Sequence, residues 1–258
     1  MQLLTASRPE LIPVFTGLSV RQFRKLVTAA RRHGGPQIAD GRPGRQWRLD
    51  LADRVLLVAA YYRTNLTMRQ LAPLFGISLA SAHRVINRLG PHLALAPARR
   101  PGAGEVLIVD GTLVPTQDRQ VAASAKNYRH SVNLQVLIHA DTRLVLAVGR
   151  PLPGNRNDCT AYATSRVNQA TGTATVIADG GYRGTGLLIP HRRQPGQAEL
   201  PAWQEEHNAS HRRVRARVEH VLARMKAWKI LRDCRRRGAG VHLAALGIAH
   251  MHNLAWAG

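Results

Sequence analysis

Val106-Leu107-Ile108-Val109-Asp110-Gly111-Thr112 closes a four-residue apolar run on an aspartate, with glycine directly after it. An uninterrupted aliphatic run of this length, rich in β-branched residues, reads as a strand buried on both faces. The pattern returns at Val176-Ile177-Ala178-Asp179, followed by Gly180-Gly181-Tyr182-Arg183-Gly184. Two strands therefore each end on a carboxylate. A third acid, Glu219, stands in a basic helical stretch, with Arg215 four residues before it and Lys226 seven after.

These acids are conspicuous because the chain is so basic. Its 258 residues carry 37 Lys+Arg against 15 Asp+Glu, a formal charge of +22. Only four of the bases are lysines (Lys25, Lys126, Lys226, Lys229), so the field is largely arginine, whose planar fork matches phosphate oxygens. A GC-rich genome adds to the Arg and Ala content, but the bases cluster rather than spread. Cys159 and Cys234 make neither a disulfide framework nor a paired metal spacing. The longest apolar run, Val55 to Tyr62, is too short to span a bilayer, and no leader-like segment opens the chain. The expectation is a protein of the bacterial cytoplasm, acting on the nucleoid and not on a membrane.

Around the two strands the chain divides by period. Residues 1–97 read as helical: a capping box at Ser19-Val20-Arg21-Gln22 opens a run to Arg32, Gly34-Gly35-Pro36 breaks it, Gly41 to Gly44 is loop, and Asp50 to Arg63 is a buried helix. Thr67-Met68-Arg69-Gln70 caps a helix to Phe75, Gly76-Ile77-Ser78 turns, and Leu79 to Leu89 is helical again. Helix, glycine turn, helix over about 67–89 is the helix-turn-helix pattern, although Pro73 should kink or shorten its first member. In this reading Leu71, Ala72, Phe75, Ile77, Val85 and Ile86 pack inward, while Ser81, His83, Arg84 and Asn87 face DNA. An ordinary helical hairpin is the plainer alternative.

Pro97 to Gly104 is the linker-like stretch, and residues 98–258 read as one α/β domain. Its expected elements are strands at Val106–Val109, Val132–Ala140 and Leu144–Val148, a helix at Asp158–Val167 and a strand at Thr175–Asp179. A short strand at Leu187–Pro190, a long helix at Arg212–Leu231 and a final helix at Val241–Trp256 complete it. Three hairpin-linked strands, a helix, another strand and a closing helix is the order of a ribonuclease-H-like mixed sheet flanked by helices. On the long helix Val214, Val218, Val221, Leu222, Met225 and Trp228 make a core-facing stripe. At about 100° per residue, Arg215, Glu219 and Lys226 fall within about 40° of one another.

Two strand-end aspartates and a helical glutamate suit a pair of hard divalent ions, Mg²⁺ or Mn²⁺, clamping a phosphodiester. Singly, each acid has a plainer reading: turn residues before glycine for the aspartates, and an i, i+4 pair with Arg215 for Glu219. Their conjunction favours the metal reading.

The chain resembles bacterial insertion-sequence transposases of the D-D-E class, particularly the insertion-sequence-five group and its Harbinger-like relatives. The residues that carry the likeness are Leu107 to Thr112, Ile177 to Tyr182, and Arg215-(3)-Glu219-(6)-Lys226, with Pro153 to Asp158 as a further family-like segment. The resemblance implies an N-terminal module that binds terminal inverted repeats. It also implies a core whose Asp110, Asp179 and Glu219 hold two metal ions, cut double-stranded DNA and join 3′-hydroxyls to target DNA. Synapsis of two ends predicts at least a dimer on DNA. The family's last motif begins with a Tyr separated from the Arg by two residues, where this chain has Arg212; Arg212, Arg215 and Lys226 are the expected phosphate contacts.

Lesser candidates complete the reading. Asp158 is a further candidate metal ligand, but it sits where a helix N-cap belongs, and the cap is preferred. Asp118 and Asp141 read as turn residues, and His242, His250 and His252 as ordinary histidines of an apolar helix. Lys126 to His130 fits a basic hairpin on target DNA or a solvated turn. Arg235-Arg236-Arg237 fits a helix-end cluster or a phosphate contact, and Tyr182 a base stack or a core plug. Two rivals stand beside transposition: a nuclease of the same fold that no longer transposes, and a non-catalytic helix-turn-helix protein. RNA recognition by stacking is disfavoured by only three Phe, four Trp and five Tyr.

Overall fold

The computed structural model describes residues 2–41, 46–97, 99–124 and 129–257. They form two compact units, one of Met1–Ala96 with Met225–Gly258 and one of Pro97–Arg224. By its contacts the C-terminal segment from Met225 groups with the N-terminal helices, among which its final helix is buried.

The first unit begins with α1 (Leu11–Thr16) and α2 (Val20–Gly34). α3 (Leu51–Thr64), α4 (Met68–Leu74) and α5 (Leu79–Leu89) follow. The expected capping boxes form: Ser19 and Thr67 each accept from the backbone N–H three residues on, and Gln22 and Gln70 reach back. α3 is buried almost throughout, with Val55 to Tyr62 at its centre. One charged side chain accompanies them. Arg54 is 1% exposed, and it donates to the Ile38 carbonyl (2.9 Å), to Asp40 Oδ1 (2.6 Å) and through Nε to the Asp50 carbonyl (3.2 Å). Its guanidinium also lies 5.1 Å from the Trp47 ring centroid. A buried cation is tolerated only when its donors are all met in this way.

In the second unit β1 (Val106–Pro115), β2 (Ala123–Ser124), β3 (His130–His139), β4 (Val145–Val148), β5 (Leu152–Pro153) and β6 (Thr175–Ile177) form one mixed sheet. β1 and β3 pair antiparallel over nine positions, and β4 continues the meander on the far side of β3. β6 pairs parallel with β1 after the crossover through α6 (Asp158–Thr164). That is the ribonuclease-H-like order expected from the sequence. Leu107, Val109, Leu137, Val176 and Ala178 build a core on one face with Tyr162, Val167 and Tyr182. The expected strand at Leu187–Pro190 shrinks to one bridge, Ile177 with Leu188.

α7 (Ala202–Met225) begins ten residues earlier than the sequence suggested and stops six earlier. Val218, Val221, Leu222 and Met225 are buried, whereas Val214 is half-buried. Trp228 and a short 3-10 turn at Lys229–Arg232 follow, so Lys226 lies beyond the helix. The expected face shared by Arg215, Glu219 and Lys226 therefore does not exist as one helical surface. In the first unit α8 (Gly240–Ala257) closes the chain. Gly247 lets it approach α3, since a Cβ there would meet the Tyr62 ring at 3.0 Å. His250 Nδ1 lies 3.1 Å from the Leu93 carbonyl and His252 is buried, so these histidines belong to the helix packing. No helix of the described residues is long and apolar enough to cross a membrane.

Arg54→Met removes the donors to the Ile38 carbonyl and to Asp40 Oδ1. Unfolding by denaturant should show a loss of about 3 kcal/mol, the cost of breaking a buried, satisfied charge.

Candidate functional site

The parallel register between β1 and β6 aligns Ile108 with Ile177. Two residues further along each chain stand Asp110 and Asp179, so neighbouring backbones present the two acids at one level. One expectation needs revising here: β1 does not end at Asp110. It runs on to Pro115, paired throughout with β3, because the antiparallel ladder continues past the apolar run. β6 does stop at Ile177, and Asp179 caps a 3-10 turn at Gly180–Tyr182 by accepting from the Gly181 N–H at 2.8 Å.

Asp110 is mostly enclosed. One oxygen accepts from the Gly111 N–H (2.9 Å) and the other from Arg215 Nη1 (3.3 Å). Arg215 turns its other nitrogen onto Glu219 Oε1, one helical turn along α7, so a single guanidinium joins the strand acid to the helix acid. Burial lifts Asp110 to about pKa 6, and the charges of Asp179 and Asp158 add to the rise; Arg215 and the Gly111 N–H oppose it. Glu219 is 54% exposed at its side chain. Arg212 is exposed on α7 and Lys226 is half-buried past its end.

Asp158 is not the helix cap. Asn157 caps α6, accepting from the Thr160 N–H, and Asp158 turns inward as the first helical residue. Its Oδ1 accepts from Asn133 Nδ2 (3.0 Å) and Gln135 Nε2 (3.2 Å). Gln135 in turn accepts from the Tyr182 hydroxyl at 2.5 Å. Tyr182 is wholly buried, which makes it the core plug of the two readings, and its hydroxyl is held far above its usual pKa by burial and then by Asp158. Asn133 and Gln135 had no motif to mark them; their only signal was polarity inside an apolar strand.

The donor set suits a hard divalent ion, since every candidate ligand is a carboxylate oxygen. Among the described residues no three His, Cys, Asp or Glu side chains stand close enough together to hold one as they are. The Glu219 carboxylate is turned onto Arg215, whose guanidinium is a cation between Asp110 and Glu219.

In the first unit, α4 and α5 pack through Leu71, Ala72, Phe75, Val85 and Ile86, with Ile77 only half-buried. Pro73 shortens α4, which ends at Leu74, and Gly76 makes the turn at φ +62°. Ser78 caps α5. His83, Arg84 and Asn87 are exposed and Ser81 is half-exposed. Arg84 Nη2 donates to Ser81 Oγ, and Asn87 Nδ2 lies 3.0 Å from the His83 ring. A cleft of about 390 Å³ opens beside them, lined by Arg48, Ser78, Arg84 and Arg88 among others. Arg236 donates to Asn87 Oδ1 at 2.7 Å, and Arg235 donates to the Asn65 carbonyl. Arg235 and Arg236 thus support the helical unit, a role their sequence position did not reveal, while Arg237 is exposed. Lys126 to Tyr128 lie outside the described residues.

The Transposase DDE domain family matches residues 101–254, and the Helix-turn-helix of DDE superfamily endonuclease family matches residues 47–98. The chain belongs to the DDE-class transposases. It is 64% identical over 255 residues to a putative transposase for insertion sequence element IS112 from Streptomyces albus G, covering 99% of this chain and 98% of that one. A probable transposase for insertion sequence element IS702 from Microchaete diplosiphon is 27% identical over 235 residues, with 84% and 83% coverage. The piggyBac transposase in a cryo-EM synaptic complex with hairpin DNA aligns with a TM-score of 0.49 at 10% identity, over 96% of this chain and 74% of that one.

In the metal-free transposase the native state binds the Asp110 proton more tightly than the unfolded chain does. The penalty for its charge therefore grows as pH rises from about 4 to 6 and is complete above that. Asp110→Asn should melt higher than wild type at pH 7, by up to about 3 kcal/mol, and lose that advantage as pH falls to 4. Paired thermal melts in chelator across that range test it.

Proposed function

We propose that this transposase binds the terminal inverted repeats of its own element through α5, cuts DNA phosphodiesters there and joins the freed 3′-hydroxyls to target DNA. The reading is supported by the β1/β6 register, which puts Asp110 and Asp179 on neighbouring chains, and by Arg215 of α7, which joins Asp110 to Glu219. Three elements with no local reason to share an acid each carry one inside a chain of charge +22.

Asp110, Asp179 and Glu219 would hold two Mg²⁺ or Mn²⁺ ions, which when bound supply an activated oxygen nucleophile and neutralise the leaving oxygen. The chain's own part is to keep the two aspartates on adjacent, rigid backbones, so that no large motion is needed to present them. Glu219 sits on a helix and is free to turn once Arg215 releases it. A DNA phosphate is a natural destination for that guanidinium, because its fork matches phosphate oxygens as well as carboxylates. Arg212 and Lys226 are each further phosphate contacts on the duplex backbone. On α5, Ser81, His83, Arg84 and Asn87 lie along the exposed side of the helix that would enter the major groove. Since two element ends are joined in one event, the working form on DNA is at least a dimer.

Asp110→Asn, Asp179→Asn and Glu219→Gln should each lower Mg²⁺-dependent nicking of end-containing DNA by about 100-fold or more while leaving DNA binding within a fewfold of wild type. Nicking at the wild-type rate by any of them overturns its assignment. Arg84→Ala should do the reverse: about tenfold weaker binding to terminal-repeat DNA in a gel-shift titration, with nicking restored at high protein concentration.

A further inference from the structure

α2 belongs to neither the helix-turn-helix nor the sheet, and its outer face is a row of bases. Arg21, Arg24, Lys25, Arg31 and Arg32 are all exposed, and the helix contains no Asp or Glu. On its opposite face Phe23, Leu26 and Ala30 are buried, and the Ser19–Gln22 capping box fixes its start. The bases therefore stand on a well-anchored rod. At about 1.5 Å per residue the row from Arg21 to Arg32 is about 16 Å long, the axial length of about five phosphates of one DNA strand.

Position within the helix separates the bases that the fold itself accounts for from those it does not. Arg31 and Arg32 lie in the last turn, where the helix dipole favours cations. Arg21 has the opposite setting, in the first turn, where the dipole disfavours positive charge and no acid is present to offset it. Arg24 and Lys25 follow three and four residues on, so like charges are neighbours on one face. Among the described residues none of these three is paired with an acid. A groove of about 540 Å³ lies beside them, bounded by Arg21, Arg24, Lys25 and Arg32 and by His250 and Leu254 of α8. Its α8 side brings no acid either. The fold thus carries mutually repelling cations at a helix start with nothing of its own to neutralise them.

From this placement we infer that the Arg21, Arg24 and Lys25 face of α2, with Arg32 further along, is a second DNA contact that takes backbone phosphates of the duplex irrespective of sequence. A phosphate there neutralises the row and meets a helix start, the end at which anions are favoured. The inference rests on the reading that this transposase binds duplex DNA. It adds a surface that contributes affinity without base recognition to the one on α5.

The test is fluorescence anisotropy of labelled duplexes, one carrying the element's end and one of unrelated sequence, titrated with full-length protein over a range of salt. Arg21→Gln/Arg24→Gln/Lys25→Gln is compared with wild type and with Arg84→Ala. The triple variant should bind both duplexes about tenfold more weakly, and the slope of log affinity against log salt should flatten by about 2 to 3. Its melting temperature should be unchanged or higher, because repelling charges have left the helix, whereas a structural role would lower it. Arg21→Lys/Arg24→Lys, which keeps the charge, should keep the wild-type slope. Wild-type affinity and slope in the triple variant, with Arg84→Ala weakened on the element's end, overturns the α2 contact and leaves the α5 reading standing. Failure of the wild type to bind either duplex overturns the DNA-binding reading and the inference with it. If the triple variant melts early, Arg24→Gln and Lys25→Gln are measured singly, each expected to flatten the slope by about 1. Wild-type slopes in both then overturn the contact.

Discussion

Everything in the second unit depends on putting like charges side by side. The parallel pairing of β1 with β6 sets Asp110 and Asp179 at one level on adjacent chains, and α6 adds Asp158 against Gly111. Such a cluster repels itself, and burial makes the repulsion worse, as the elevated Asp110 shows. It persists because the apolar residues around it pay the cost: Leu107, Val109, Val176 and Ala178 lie between and beside the acids and are themselves buried. Arg215 relieves part of the strain by bridging Asp110 and Glu219. The guanidinium is the cation that these acids meet in the folded chain.

Three other arginines are held by the fold in a different way. Arg54 is consumed by the α3 core, and Arg235 and Arg236 by carbonyl and amide oxygens of their own unit. A net charge is therefore a poor count of the bases free to meet DNA.

Much of the fold was legible because its signals are local. Apolar runs ending at Asp110 and Asp179 marked two strands, and the capping boxes at Ser19 and Thr67 marked two helix starts to the residue. The mixed sheet followed from the order of elements. Less legible were features set by partners distant in sequence. Asp110 lies within β1 rather than at its end because β3 offers a ladder as far as Pro115. α7 stops at Met225, which removed Lys226 from the Glu219 face; nothing in residues 212–231 announced that break. Asp158 was read as a cap because Asn157 and Asp158 are both good caps, and only Asn133 and Gln135, on another strand, decide between them. The grouping of Met225–Gly258 with the N-terminal helices had no sequence mark either, since an apolar helix shows that it is buried but not against what.

The most direct test of the account is to let a bound metal report its own position. Fe²⁺ substituted at the site, with ascorbate and peroxide, generates hydroxyl radicals that cut the polypeptide beside the ion. Scission should fall near residues 110, 158, 179 and 219 and be suppressed by excess Mg²⁺. Cuts confined instead to the His191, His207 and His211 group, or scattered without competition by Mg²⁺, would contradict a carboxylate metal centre in this transposase.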